Sequence, residues 1–170
     1  LIDDRDYVIS NLKINKISNK SDILNIIIPT DEINILKDIK FNKCNAFGGY
    51  PKEDYNDHNF SHKILDHIKD LTLSCYKDDV FYRNNSITTS FDNYYEDLDK
   101  WIIKNNIKSI HLPYVTQGNW KKIYKKIIKK YPNINFIKFN RDYDINSWIY
   151  SKKGYFKFKQ NIPQIIRYFQ

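Results

Sequence analysis

A buried β-strand is encoded by the stretch Ile23-Leu-Asn-Ile-Ile-Ile28, which Pro29 ends. Its length and β-branched content are typical of a strand covered on both faces, as in a parallel sheet. The next residues, Thr30-Asp31-Glu32, supply an N-cap and first-turn acids, which predict a short helix over 31–38. This strand followed by a helix is the unit from which parallel α/β sheets are built.

The same alternation continues along the chain. Further strands are predicted at Phe41–Phe47, where Gly48 and Gly49 break the run, at Ile107–Leu112 and at Ile134–Phe139, and Val80–Ile87 is ambiguous between strand and loop. Helices are predicted at Asn59–Lys77, at Asn119–Lys130 and at Ile162–Phe169, which Pro163 opens. A further helix is predicted after Ser90, which is taken as its N-cap. The fold class is therefore α/β, a three-layer Rossmann-like (flavodoxin-like) sandwich with a mainly parallel sheet. We expect 1–170 to form a single domain, with 1–20 linker-like.

Charge is distributed unevenly in a chain whose formal net charge is +8. Residues 1–100 carry 13 basic and 18 acidic side chains, whereas residues 101–170 carry 15 and 2. Such asymmetry favours a polyanionic or acidic partner, unless the acidic part neutralises the basic part within the fold.

Cysteine usage and hydropathy favour a cytoplasmic protein without a membrane span. Cys44 and Cys75 match no metal or redox spacing, and no apolar run reaches the length of a spanning helix. The chain begins at Leu1 and contains no Met, from which we expect a domain cut from a longer protein.

A candidate ligand loop follows the strand at Ile107–Leu112. Ligands of such folds bind beyond the carboxyl ends of strands, and this loop offers polar and glycine residues before a helix. A structural turn is the competing interpretation. The candidate contacts are Tyr114, Thr116, Gln117, Gly118 and Trp120. No GxGxxG or Walker motif is present, which disfavours classical dinucleotide or ATP binding.

Two helical patterns have simple structural explanations. His58, His62 and Asp66 share one helix face, but three positions on a straight helix cannot surround an ion, so we expect no metal and a solvated polar face. The basic helix at Asn119–Lys130 also predicts a solvated face, with phosphate or anionic lipid contact as alternatives. Its lysines are Lys121, Lys122, Lys125, Lys126, Lys129 and Lys130.

The end of the chain interleaves basic and aromatic residues. Possible contacts to phosphate or nucleic acid are Arg141, Lys152, Lys153, Lys157 and Lys159. Trp148 and Tyr155 are possible stacking residues, with core anchoring as the alternative. Phe156 and Phe158 are predicted core anchors.

Two segments resemble a branch of the bacterial DNA photolyase/cryptochrome-related proteins. One is Leu112-Pro113-Tyr114-Val-Thr-Gln-Gly118-Asn-Trp120. The other runs Arg141-x-Tyr-Asp144, Trp148-Ile-Tyr-x-Lys-Lys153-Gly154-Tyr-Phe156-Lys-Phe158 and Ile162-Pro163. The pattern is matched specifically over these last residues and loosely back to about Phe60. The chain departs from it at Tyr143, where the family has Trp, at Ile149, where it has Pro, and at Tyr155, where it has Phe.

The resemblance implies the accessory α/β domain of such a flavoprotein, acting in light-dependent DNA repair or light sensing. FAD would be held by a helical domain of the same parent chain and not by this one, so no independent catalysis and no cofactor within the chain are expected. DNA is a possible partner of the parent. The alternative function is a basic nucleic-acid-binding module without enzymatic activity. A small Rossmann-like hydrolase or transferase remains a third interpretation, for which no nucleophile and base pair is evident.

Overall fold

Five parallel strands form the centre of the computed structural model, which describes residues 23–31, 43–56, 61–78, 86–115, 118–140, 144, 147, 150 and 155–168. In chain order the strands are β1 (Leu24–Ile28), β2 (Cys44–Gly49), β3 (Ser86–Ser90), β4 (Ser109–Pro113) and β5 (Asn135–Phe139). The helices are α1 (Lys52–Asn56), α2 (His62–Asp78), α3 (Tyr94–Lys104), α4 (Asn119–Lys130) and α5 (Tyr155–Tyr168).

The chain divides into two compact units. A sheet unit comprises residues 19–138, and a terminal unit comprises residues 1–18 and 139–170. The sheet unit contains α1 to α4 and all but the last residue of β5. The terminal unit contains α5.

The strands are ordered β3-β2-β1-β4-β5 across the sheet. β1 pairs in parallel with β2, with Leu24 opposite Cys44, and Ile26 lies opposite His111 of β4. β2 pairs in parallel with β3, and the backbone N–H of Asn135 donates to the carbonyl of Lys108 at 3.0 Å where β5 begins. The predicted α/β fold with a mainly parallel sheet is confirmed.

Helices cover both faces of this sheet. Right-handed crossovers place α2 on one face, because the chain steps outward from β1 to β3, and α3 and α4 on the other, because it then returns to β4 and β5. Side chains of β2 show this alternation. Phe47 packs edge-on against Tyr94 of α3, whereas Gly48, on the opposite face, leaves room for Tyr76 of α2.

The core lies mainly between the sheet and the pair α3 and α4. Its members are fully or nearly fully buried and include Ile27, Phe47, Tyr94, Leu98, Trp101, Ile110, Leu112, Trp120, Ile123 and Ile127. Burying each large apolar side chain of this kind contributes about 1.5–3 kcal/mol relative to exposure. The buried face of α4, with Trp120, Ile123, Tyr124 and Ile127, therefore belongs to this core.

Two predicted boundaries around β2 and β3 are wrong. Gly48 and Gly49 do not break the second strand but belong to β2, because their missing side chains admit Tyr76 and the carbonyl of Ser90. Ser90 does not cap the next helix. It ends β3 and its hydroxyl donates to Asp97 at 2.8 Å, while α3 begins at Tyr94 after Asn93.

Pro163 and Phe156 of the terminal unit also differ from expectation. α5 begins at Tyr155, so Pro163 lies inside the helix and does not open it. Phe156 is not a core anchor, because 81% of its side chain is exposed, while Phe158 is half-buried. The predicted helix at 31–38 lies outside the described residues from position 32 onward.

Candidate ligand site at the carboxyl edge of the sheet

β1 and β4 lie next to each other where the strand order reverses. In open α/β sheets such a switch point creates a crevice at the carboxyl ends of the strands. The residues after β1 are Pro29, Thr30 and Asp31, and Tyr114 follows β4. The predicted ligand loop, which follows β4, therefore lies at the same edge of the sheet as the segment that follows β1.

Thr30 forms the floor of this crevice by joining three segments. Its Oγ1 accepts a hydrogen bond from the indole N–H of Trp120 at 2.9 Å and lies 3.1 Å from the hydroxyl of Tyr55. A threonine hydroxyl offers one donor and two acceptor positions. Because these contacts engage the Thr30 hydroxyl, Thr30 is not a free nucleophile.

Electrostatics at the crevice follow from partial burial. Desolvation raises the pKa of the Asp31 carboxyl, and the Thr30 hydrogen bond opposes that shift. Burial also raises the pKa of Tyr55, so its hydroxyl remains protonated near neutral pH. Asp31 itself is exposed at the end of the segment that follows β1.

The start of α4 contributes backbone donors to the same edge. Gly118 precedes the helix with φ 91° and ψ −163°, and no side chain caps the first turn. That conformation is essentially restricted to glycine, and a Cβ there would meet no atom within 4 Å. The first N–H groups of a helix have no intrahelical partner and favour anions.

The predicted loop residues therefore separate into different roles. Trp120 is 0% exposed, so its ring belongs to the core and only the residues before it are within reach of a ligand. Tyr114 is half-buried and Gly118 is exposed. Thr116 and Gln117 lie outside the described residues. Ligand binding by this loop stays a prediction.

Few of the predicted contacts of the end segment fall within the described residues. Lys159 is exposed on α5, and Lys157 and Tyr155 belong to the same helix, although their side chains are not described. The remaining four lie outside the described residues: Arg141, Trp148, Lys152 and Lys153. Nucleic-acid contact by this set stays a prediction.

Two clusters of an aspartate, a tyrosine and a lysine were missed from sequence. In the first, Asp54 accepts from the hydroxyl of Tyr95 at 2.5 Å and from the ammonium of Lys126. In the second, Asp99 pairs with Lys130 at 2.7 Å and accepts from the hydroxyl of Tyr131.

The sequence signal for these two clusters was the spacing of their residues along the helices. Tyr95 and Asp99 are one turn apart on α3, as are Lys126 and Lys130 on α4, which lets the two helices be joined at two successive levels. Burial, followed by the hydrogen bond to Asp54, raises the pKa of Tyr95. The clusters hold helices together and present no unpaired reactive group.

A second polar network runs through the sheet. The indole N–H of Trp101 donates to Asn45 Oδ1 at 3.0 Å, and Asn45 Nδ2 donates to Asn25 Oδ1 at 3.1 Å. His111 Nδ1 lies 3.3 Å from the backbone carbonyl of Asn25. The asparagines within the apolar runs of β1 and β2 were its sequence signal, since a buried amide requires partners.

Neither a metal centre nor a membrane span is found among the residues that the structure describes. They contain no group of three or more histidine, cysteine, aspartate or glutamate side chains arranged to hold an ion. His62 is exposed, and His58 lies outside the described part. None of the described helices is long and apolar enough to cross a bilayer.

Comparisons with protein-family models, with curated proteins and with solved structures gave no match to this chain. The class defined by the fold is a three-layer, Rossmann-like α/β protein.

Proposed function

We propose that this chain is the accessory α/β domain of a photolyase/cryptochrome-like flavoprotein, with no catalysis of its own. One observation carries the proposal. The first segment that resembles the family, Leu112–Trp120, spans the end of β4, the loop and the start of α4. It therefore lies at the crevice where an α/β domain presents its ligand-facing edge. The fold also belongs to the class that the resemblance implies.

The flavin in this proposal belongs to a helical domain of the parent protein. The described floor of the crevice does not fit an isoalloxazine ring, because Trp120 is fully buried and its N–H is already bound to Thr30. Bound FAD would supply light absorption and electron transfer in the parent. This chain's own residues would support the fold beside that domain.

A cytoplasmic location is part of the proposal. Both cysteines are free thiols, and Cys44 is buried in β2, as expected for a protein of a reducing compartment. Cys44 takes no part in any described redox pair.

The decisive experiment compares the natural full-length protein with the chain of residues 1–170. We expect the full-length protein to purify with the visible absorption of oxidised flavin and to respond to light, either by repairing ultraviolet-damaged DNA or by photoreducing its flavin. The isolated chain should show neither property. Denaturation of the full-length protein and chromatography of the released cofactor identify FAD.

A matched variant tests whether the domain matters to the parent. Thr30→Val in the full-length protein should lower thermal stability while leaving the flavin spectrum in place, because the hydroxyl serves this domain's crevice. The proposal is abandoned if the natural protein carries no flavin, or if the gene encodes no neighbouring helical domain.

Nucleic-acid binding by the terminal unit is the second candidate function. One observation favours it: the exposed surface of α5 combines Phe156 with Lys159 and Arg167. Aromatic faces stack on bases, and basic groups neutralise phosphates. Binding of a single-stranded oligonucleotide should weaken in Phe156→Ala and in Lys159→Gln, measured by fluorescence anisotropy. Ile166→Ala, at another exposed apolar position of α5, is the control. Equal binding by all three variants would refute this candidate.

A further inference from the structure

The helix α4 carries six lysines and no acidic residue. Its buried side chains, Trp120, Ile123, Tyr124 and Ile127, define the side that faces the core. At 3.6 residues per turn, each residue advances about 100° around the helix axis. Lys122, Lys125 and Lys129 then fall within an arc of about 60° directly opposite the core. These three residues are named the outer lysine row.

The flank of α4 that faces α1 and α3 has a different role. Lys126 pairs with Asp54 of α1, and Lys130 pairs with Asp99 of α3. At this flank, acidic side chains from residues 1–100 therefore neutralise lysines from residues 101–170. These two ion pairs neutralise the charges of Lys126 and Lys130.

All three lysines of the outer row are exposed. In the described part of the chain, neither Lys125 nor Lys129 forms an ion pair. The row is about 10 Å long, because seven residues of helix rise about 1.5 Å each. It is a short line of positive charge on a rigid element that is anchored by its buried face.

We propose that the outer lysine row binds the phosphate backbone of duplex nucleic acid without reading base sequence. Lysine contributes point charges to phosphates, and the spacing of the row, about 4.5–6 Å between successive residues along the axis, places its charges within reach of successive phosphates. No described residue of α4 presents an exposed aromatic ring for stacking on bases. The contact is therefore electrostatic and concerns the backbone alone.

Other polyanionic partners fit the row less well. A helix that docks on anionic lipid inserts an apolar face into the bilayer interface, whereas the apolar face of α4 is buried in the core. Acidic protein surfaces recruit arginine and aromatic residues, and lysine is depleted at such interfaces. The inference is independent of the flavoprotein proposal, and it concerns the sheet unit and not α5.

Salt dependence of binding is the decisive measurement. The full chain and the triple variant Lys122→Gln, Lys125→Gln, Lys129→Gln are titrated against a short DNA duplex by fluorescence anisotropy at several salt concentrations. Three neutralised phosphates contribute about −2.7 to the slope of log K against log salt. We expect the variant to lose that part of the slope, which equals about a 40-fold change in affinity between roughly 50 and 200 mM salt.

Two matched triple variants separate position from net charge. The triple variant Lys43→Gln, Lys63→Gln, Lys77→Gln removes the same charge from exposed positions just before β2 and on α2. It should keep the wild-type slope. Replacing the outer row by arginine should also keep it. Circular dichroism and thermal melting check that all variants fold, because exposed substitutions change stability by about 0.5 kcal/mol or less.

The inference fails if the outer-row variant and the Lys43, Lys63, Lys77 variant lose equal parts of the slope, since net charge would then explain binding. It also fails if the wild-type chain binds phosphatidylserine vesicles through the row but not the duplex. A slope that changes only in the Phe156 and Lys159 variants would assign nucleic-acid contact to α5 instead.

Discussion

The hydroxyl of Thr30 holds the carboxyl edge together at the scale of a single residue. Thr30→Val keeps the side-chain shape but removes the hydroxyl that accepts the hydrogen bond from the N–H of Trp120 and that lies beside the Tyr55 hydroxyl. Removing one partner of a buried hydrogen bond costs about 1–3 kcal/mol. We expect a loss of unfolding free energy in that range, measured by urea denaturation.

Thr72 provides the control for this substitution. It is fully buried, and its hydroxyl donates to the carbonyl of Ile68 one turn earlier on α2. That carbonyl also serves the helix backbone, so Thr72→Val should cost much less than Thr30→Val. Equal losses for the two variants would mean that the Thr30 network contributes nothing special.

Gly49 and Gly118 both have positive φ, but the space around the two residues differs. At Gly49, with φ 108°, an added Cβ would lie 1.9 Å from the carbonyl oxygen of Ser90, whereas nothing lies within 4 Å at Gly118. Gly118→Ala should therefore cost only backbone strain, about 1–3 kcal/mol. Gly49→Ala adds a backbone clash and should cost more or prevent folding. Thermal melting compares them, and a larger loss for Gly118→Ala would contradict the geometry.

At the scale of elements, local pattern was sufficient where one helix face meets the core. α4 was predicted with the ends that the structure shows, Asn119–Lys130, and its buried side chains recur at helical spacing. β2 and β3 were harder, because the reason that Gly48 and Gly49 belong in a strand lies in Tyr76 and Ser90, far along the chain. Pro163 shows the same limit, since proline normally marks the first turn of a helix.

The two clusters between helices should differ in strength. The side chain of Asp54 is 9% exposed and that of Asp99 is 40% exposed. Solvent screens the more exposed pair, so Asp99→Asn should cost about 1 kcal/mol or less. Asp54→Asn leaves Lys126 unpaired and weakens the Tyr95 contact, and should cost about 1–3 kcal/mol.

A double-mutant cycle checks the assignment of that cost. Asp54→Asn and Tyr95→Phe remove the two ends of one hydrogen bond, so their effects should be non-additive by about 0.5 kcal/mol or more. Thr72→Val combined with Tyr95→Phe serves as the control pair and should be nearly additive, because the Thr72 hydroxyl bonds to Ile68 and the Tyr95 hydroxyl to Asp54. Additivity in both pairs would show that the short Tyr95–Asp54 contact is not energetically coupled.

For the whole molecule, the sequence predicted the layered α/β architecture, and it predicted a candidate ligand loop after the fourth strand. It did not predict that Thr30, Tyr55 and Trp120 meet there, because Thr30 and Trp120 are 90 positions apart in the chain. The charge asymmetry was visible as a count. Which lysines are neutralised depends on how α1, α3 and α4 pack together.

The acid side of the stability profile should be influenced by His111. Burial lowers the pKa of this imidazole below its ordinary value of 6.5. The unfolded state then binds more protons below about pH 6.5, so the contribution of neutral His111 is complete above that pH and is lost as pH falls. Urea midpoints should decrease between about pH 7 and 5, and His111→Asn should reduce that decrease. An unchanged slope in the variant would exclude His111 as the cause.

The loss of folding stability at alkaline pH is caused in part by Cys44, which is 3% exposed within β2. Burial raises the pKa of its thiol from 9.0 to about 11. The unfolded chain therefore releases this proton first, and stability that is complete below about pH 9 is lost as pH rises toward 11. Cys44→Ala lowers stability at neutral pH through lost packing, but it should flatten the decrease. The comparison is best made below about pH 10, before tyrosines ionise in the unfolded chain, because burial also raises the pKa of Tyr50, to about 12. A variant that keeps the wild-type slope would place the alkaline sensitivity in another group.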